Sequence, residues 1–272
     1  MLGRQSTPGH WDRFWSNLRS ANPRPVFLKA LRVGFALAGK RALEVGAGTG
    51  TASSSVAAEG GRVVALDYSD ESVRFIKKNW VGKLPTLTPL RADALALPFA
   101  DSSFDVVFHD GVLEHFPDPQ RFLGENWRVL KPGGLLVVGV PQKYNPYTLY
   151  KQVLILLNRW RYGWETQYSV GQLAALLRGS GFRVGQVYGD GIIGSFGPRT
   201  VRLAQRIARW WDSQPTRGPS DPAGMTNTGT GEELIFRISQ LRILPYIAFC
   251  VVMTGLKPIG PNEAQRPTAH RA

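Results

Sequence analysis

Two rhythms of apolar residues alternate along this chain. Between residues 41 and 140, short apolar runs give way repeatedly to stretches in which apolar positions return every three or four residues. The runs predict strands over 41–45, 62–66, 85–91, 104–108 and 135–140. The intervening stretches predict helices over 51–59, 71–80 and 118–130, the last with Leu123, Trp127 and Leu130 on one side, and Lys131-Pro-Gly-Gly134 as a turn. Strand–helix alternation at this spacing means parallel strands joined by right-handed crossovers. Upstream, Trp11, Phe14, Trp15 and Leu18 share one face of a helix over 8–19. A second helix over 25–38 starts at Pro25 and is closed by Gly39. After Pro141 come helices over 147–162 and 170–179 and strands over 182–188 and 246–253. About fifty residues that a sheet does not need separate these two strands: a basic helix over 201–212, a Pro/Gly/Ser/Thr linker over 213–231 and a helix over 232–244. The expected division is a helical cap (1–40), an α/β core (41–190), a helical lid insertion (191–245), and the last strand with a solvated tail (246–272).

Composition narrows the classes. With 272 residues, 43% of them hydrophobic, the chain can bury a large core and is not mainly disordered. A single cysteine, Cys250, excludes a disulfide-stapled scaffold. No uninterrupted apolar run approaches the ~20 residues of a membrane-spanning helix, and no secretory leader is visible. A cytoplasmic protein, soluble or membrane-peripheral, is expected. The net charge of +13 is uneven: residues 1–40 carry +6, residues 41–150 carry −1 and residues 151–272 carry +8. Basic flanks around a neutral middle suit an anionic partner, either lipid headgroups, nucleic acid or a phosphorylated substrate; arginine carried for solubility explains them equally well.

The chemistry concentrates in the middle. Ala42-Leu-Glu-Val-Gly-Ala-Gly-Thr-Gly50 sets Gly46, Gly48 and Gly50 after a strand and before a helix, where backbone can approach a ligand and offer it N–H groups. The spacing is G-x-G-x-G rather than the dinucleotide fingerprint G-x-G-x-x-G. Glu44 fits a cationic ligand better than a pyrophosphate. Asp67 ends the second strand about 20 residues after the first glycine, the place of an acid that accepts both hydroxyls of a ribose. Arg91-Ala-Asp93, Asp101-Ser-Ser-Phe-Asp105-Val-Val-Phe-His-Asp-Gly-Val-Leu-Glu-His115 and Leu130-Lys-Pro-Gly-Gly-Leu-Leu-Val-Val138 follow in order.

With these motifs together, residues 42–141 resemble the core of a class I S-adenosylmethionine-dependent methyltransferase of the small-molecule branch related to ubiquinone-biosynthesis enzymes. The resemblance implies a Rossmann-like seven-stranded sheet with its last strand antiparallel. It implies that Glu44 and the turn Gly46, Ala47, Gly48 and Gly50 hold the methionine end of S-adenosyl-L-methionine, and that Asp67 takes the ribose. It further implies that Tyr68 lies along the adenine, that Asp93 and the Ala94 amide read its edge, and that His109, Asp110 and Gly111 line the sulfonium side. Residues 163–173 and 179–182 resemble the segment before strand six in this branch. No metal site is expected.

The reaction so implied is methyl transfer to an oxygen, nitrogen or carbon nucleophile of a small, lipophilic or lipid-linked acceptor. His115 is the candidate general base, its ordinary pKa of ~6.5 being suited to the task; a role only in folding the turn over 113–117 is the alternative. A cofactor-binding scaffold without turnover, or an RNA or protein methyltransferase using the basic C-terminal third, are rival readings; nucleic acid is disfavoured because signature motifs are missing. Asn145-Pro-Tyr147 follows the fifth strand instead of the fourth and reads as a turn. Cys250 reads as core, and the aromatics Trp11, Trp15, Tyr144, Tyr147, Trp160 and Trp164 suit either a substrate pocket or packing. In the insertion, Leu203, Ile207, Trp210 and Trp211 form an apolar face beside a stripe of Arg199, Arg202, Arg206 and Arg209. That pattern is suited to an anionic membrane interface, or to a lid with its arginines in water.

Overall fold

The computed structural model describes residues 7–16, 25–33, 35–157, 159, 165–190 and 250–260. The 201–212 and 232–244 helices, the linker between them, the aromatic residues Trp160 and Trp164, and the C-terminal tail lie outside these residues.

At the centre is β1 (Arg41–Val45), buried along four of its five residues, as a strand flanked on both faces must be. It pairs in parallel with β2 (Arg62–Asp67) and with β4 (Phe104–Asp110), Leu43 standing opposite Val64 on one side and Val107 on the other. Outward from β2 comes β3 (Leu87–Arg91), and outward from β4 comes β5 (Leu130–Pro141), both parallel. The sheet is completed by β7 (Cys250–Leu256), antiparallel to β5 and to β6 (Arg183–Asp190), giving the order β3-β2-β1-β4-β5-β7-β6. This is the seven-stranded sheet with an antiparallel last strand that the resemblance implied. Strand order reverses between β1 and β4, so a crevice opens beyond their carboxyl ends, where open α/β sheets bind ligands.

Helices cover both faces. On one face α2 (Pro25–Arg32) and α3 (Thr51–Ala58) seal Ala42, Val63, Val106 and Phe108, with Phe27 against Phe108 at 6.3 Å between ring centroids. On the other, α5 (Pro119–Val129) and α7 (Val170–Gly179) bury Phe122, Leu123, Leu173 and Leu177 over Val107, Val138 and Met253. Capping fixes where these helices begin. The Asp118 side chain accepts from Arg121 N with Pro119 at the first helical position, and Ser169 with Gln172 forms a reciprocal capping box. Asn145 does the same for α6 (Pro146–Leu156), accepting from Thr148 N, so the expected turn at Asn145 is the start of a helix.

Several boundaries moved, among them the end of α6, at Leu156 rather than near 162, and the end of β7, at Leu256 rather than 253. Helix α2 ends at Arg32 rather than near 38, because the chain turns at Val33 and returns Leu37 to the core. α4 (Asp70–Ile76) widens into a π turn over Lys77–Val81, whose Trp80 indole donates to the Thr49 carbonyl. The Lys131–Gly134 turn is absorbed into β5: Gly133 N donates to Lys257 O and Lys257 N to Gly134 O, holding the kinked stretch to the end of β7. Lys257 also donates from Nζ to the Trp127 and Leu130 carbonyls, satisfying the C-terminal end of α5.

Candidate active site

The turn after β1 is built so that only glycine fits at two points. Gly46 and Gly48 take φ of +70° and +54°, a region L side chains avoid. A Cβ on Gly46 would sit 2.6 Å from Val112, and one on Gly48 2.5 Å from the Trp15 ring. The turn is anchored from Ala47 N to Leu66 O at 2.9 Å and from the Ser72 hydroxyl to the Gly48 carbonyl. Gly50 caps α3 and packs on Ile76.

Asp67, the last residue of β2, is almost fully buried. Its Oδ2 accepts from Gly48 N at 2.7 Å and its Oδ1 from Ser69 N at 2.9 Å. Burial raises its pKa, and those two main-chain donors oppose the rise. Gly48 N and Ser69 N thus aim one carboxylate oxygen each, which suits the pair to two neighbouring hydroxyls.

Glu44 lies one layer deeper. It is buried, its Oε2 accepts from Ser53 N at 2.8 Å and from the Ser53 hydroxyl, and it ties β1 to α3 beneath the glycine turn. Burial pushes its pKa up to about 8, against the two Ser53 donors, and the nearby Asp67 carboxylate adds to the rise.

Beyond these strand ends lies a cavity of about 290 Å³. Gly46, Asp67, Tyr68, Asp93, Ala94, Gly111 and His115 line it; of the residues implicated from sequence, Glu44, Ala47, Gly48, Gly50, His109 and Asp110 are not on its wall. Gly48 is covered by the Trp15 ring, and Glu44, Ala47 and Gly50 lie deeper, shaping the turn whose surface is Gly46. His109 differs. Its ring points to the α5 face, edge-on to Phe122 at 4.9 Å, fully buried, and neither nitrogen has a hydrogen-bond partner among the described residues. Burial holds its pKa down to about 3, so it stays neutral. The strand alternation that turns Phe108 to one face and His109 to the other leaves Gly111, φ +72°, to carry the wall. Asp93 is exposed and closes its own turn by accepting Leu95 N at 2.8 Å.

One N-terminal element completes the site. Helix α1 (Pro8–Ser16) packs on α4, and its Asp12 accepts from the Ser69 hydroxyl and from Glu71 N. Those contacts hold Trp11 and Trp15 on the cavity wall, Trp11 meeting His115 edge-on at 4.9 Å. The sequence left Trp11 and Trp15 open between a substrate pocket and packing, and both stand on the cavity wall. Among the described residues no cluster of His, Cys, Asp and Glu is arranged to hold a metal ion.

Comparison with known proteins agrees with this geometry. Residues 43–138 match the family model described as "Methyltransferase domain". A demethylmenaquinone methyltransferase of Clavibacter sepedonicus is 35% identical over 150 residues, 53% of this chain and 61% of the relative. A probable S-adenosylmethionine-dependent methyltransferase of Mycolicibacterium smegmatis is 33% identical over 112 residues, 41% of this chain and 42% of that one. The matches thus span less than two thirds of these relatives. Among solved structures, the methyltransferase bound to the Trm112 activator of Haloferax volcanii superposes with a TM-score of 0.59 at 18% identity, over 94% of this chain and 98% of that one. A Haemonchus contortus phosphoethanolamine N-methyltransferase, solved with S-adenosylhomocysteine, gives 0.57 at 20% identity, over 93% and 58%. At such identities the structures speak for the fold. Motifs, sheet order and sequence relatives agree: residues 43–138 match a methyltransferase domain and are similar to S-adenosylmethionine-dependent methyltransferases.

Proposed function

We propose that this chain is an S-adenosylmethionine-dependent methyltransferase whose acceptor is a small, lipophilic or lipid-linked molecule reacting through oxygen, nitrogen or carbon. One observation carries the reading most: the Asp67 carboxylate, each oxygen aimed by a main-chain N–H, on the wall of a cavity at the switch point of the sheet. The residues present fit the cofactor. Asp67 would accept the ribose hydroxyls, Tyr68 would flank the adenine, and Asp93 with Ala94 would meet its edge. Gly46 and Gly111 offer side-chain-free wall to the methionine portion, with Glu44 holding the turn from below.

When bound, the cofactor supplies a methyl group on a sulfonium, open to in-line displacement. The protein's part is to position the acceptor and keep water out. Trp11, Val112, Phe116 and Pro117 make the end of the cavity around His115 apolar, which supports an oily acceptor. The quinone-directed name of the Clavibacter sepedonicus relative supports the same class. His115 is the base that takes the acceptor's proton, oriented by its contact with Trp11. The test is calorimetric titration with S-adenosylhomocysteine, followed by methyl transfer to a panel of phenols, quinols and amines. Binding without transfer to any acceptor would turn the reading into a scaffold; failure to bind would remove it.

A further inference from the structure

Helix α6 is inside out. Thr148 and Lys151 face the protein, and the Lys151 ammonium pairs with Glu165 at 3% and 4% side-chain exposure. Opposite them, Val153, Leu156 and Leu157 are 48%, 79% and 59% exposed, with Tyr150 on the same side and Tyr144 just before the helix. On a helical wheel Tyr150, Val153, Leu156 and Leu157 fall within an arc of about 120°, the width of a buried face on an ordinary surface helix. Five of the nine exposed large apolar side chains among the described residues are thereby gathered into residues 144–157. Scattered apolar residues need no explanation, but a contiguous patch of them marks an interaction surface.

The charge around the patch is of one sign. The sequence holds no acidic residue between Glu125 and Glu165, while Lys143, Arg159 and, next in sequence, Arg161 are basic; Lys151 is turned inward onto Glu165. Lys143 lies over the Tyr144 ring at 5.7 Å, and Arg159 is exposed. Aliphatic side chains standing outward, tyrosines at the margin and cations without acids form the composition of a helix that lies in a lipid interface. Nucleic acid would be met by cations and stacking rings, leaving Leu156 and Leu157 in water. We propose that the outward face of α6 docks on an anionic lipid bilayer.

The position of the helix gives docking a use. Glu165 anchors α6, and the adjacent Thr166 N donates to the Glu114 carbonyl, next to His115 on the cavity wall. A bilayer held at α6 therefore lies beside the apolar end of the cavity, where an oily acceptor would arrive. Docking does not require methyl transfer; only this use of it rests on the proposed reaction.

Flotation of the full chain with phosphatidylcholine vesicles, with and without phosphatidylglycerol, tests the proposal. Binding to the anionic vesicles, weakened by salt and reduced about tenfold or more in Leu156→Asp/Leu157→Asp, is the expected result. Circular dichroism and S-adenosylhomocysteine titration check that the variant is folded, and Val153→Ser/Leu156→Ser serves as a milder second variant. Val81→Asp, an exposed apolar position outside the patch, should float like the parent. No binding at low salt, equal binding to neutral vesicles, or binding untouched by both α6 variants would overturn the proposal. So would a parent dimer that the variants disperse without any vesicle binding, or an RNA mobility shift that they abolish instead.

Discussion

Replacing Asp67 with alanine removes both the proposed ribose acceptor and a brace of the turn, and the two losses can be read separately. A hydrogen bond to a charged group contributes ~1.5–3 kcal/mol, and two ribose hydroxyls would lose one each. Because the pair acts as a unit and its loss is not additive, we expect ~2–4 kcal/mol in binding, or ~30- to 1,000-fold in Kd. The brace is the pair of hydrogen bonds from Gly48 N at 2.7 Å and Ser69 N at 2.9 Å, both left without the carboxylate. Orphaned buried N–H groups cost ~1–3 kcal/mol each, offset in part because a buried carboxylate is no longer kept from water. A net destabilisation of ~2 kcal/mol, or ~4–8 °C in Tm for a domain of this size, follows. Calorimetry with S-adenosylhomocysteine gives the first quantity and thermal unfolding without ligand the second. A folded Asp67→Ala variant with unchanged affinity would refute the ribose assignment, and preference for a nicotinamide dinucleotide would refute the cofactor.

Other expectations follow from single contacts. Gly46→Ala places a Cβ 2.6 Å from Val112 at φ +70°, so cofactor affinity should fall at least tenfold with some loss of Tm. Glu44 has a folded pKa of about 8 against 4.5 ordinarily, so the folded state keeps a proton that the unfolded chain releases between these values. Stability should therefore fall as pH rises across that window, by at most ~5 kcal/mol, and Glu44→Gln should flatten the slope seen in urea titrations; an unchanged slope would assign it to another group. His115→Ala should lower kcat by ~10²–10⁴-fold with cofactor Kd nearly intact, and Tm lost with turnover per folded molecule preserved would mean that the ring only folds its turn. Lys151→Met removes the ammonium paired with the buried Glu165 carboxylate and should cost ~3–5 kcal/mol in urea unfolding, a cost relieved in Lys151→Met/Glu165→Leu.

The sheet was legible because its strands are buried on both faces and read as near-continuous apolar runs; β1 at Arg41–Val45 and α7 at Val170–Gly179 fall where the pattern placed them. Boundaries shifted where a partner distant in sequence decides. Nothing in Lys131-Pro-Gly-Gly134 announces that the Lys257 main chain will pair with it. The site was legible in part for the same reason. Asp67 sits at a strand end, where position along the chain fixes position in space, and so do Gly46 and Gly111. His109 shows the limit: it belongs to the same motif as Gly111, but strand alternation carries its ring to the opposite side of the sheet from Phe108, against Phe122. Whether Trp11 meets a ligand pocket or plain core depends on how α1 docks, and Asp12 settles that through Ser69, a contact across 57 residues.

The central claim, methyl transfer to a small lipophilic acceptor, meets its most direct measurement in a labelling experiment. The full chain is incubated with S-adenosylmethionine carrying a deuterated methyl group and a whole-cell extract, alongside Asp67→Ala as the control. Mass spectrometry then follows the label into organic-solvent-soluble small molecules, RNA and protein. The expected result is one or more solvent-soluble species heavier by a deuterated methyl group, absent with Asp67→Ala. Label in RNA or protein alone, or none anywhere while the cofactor remains bound, would contradict it.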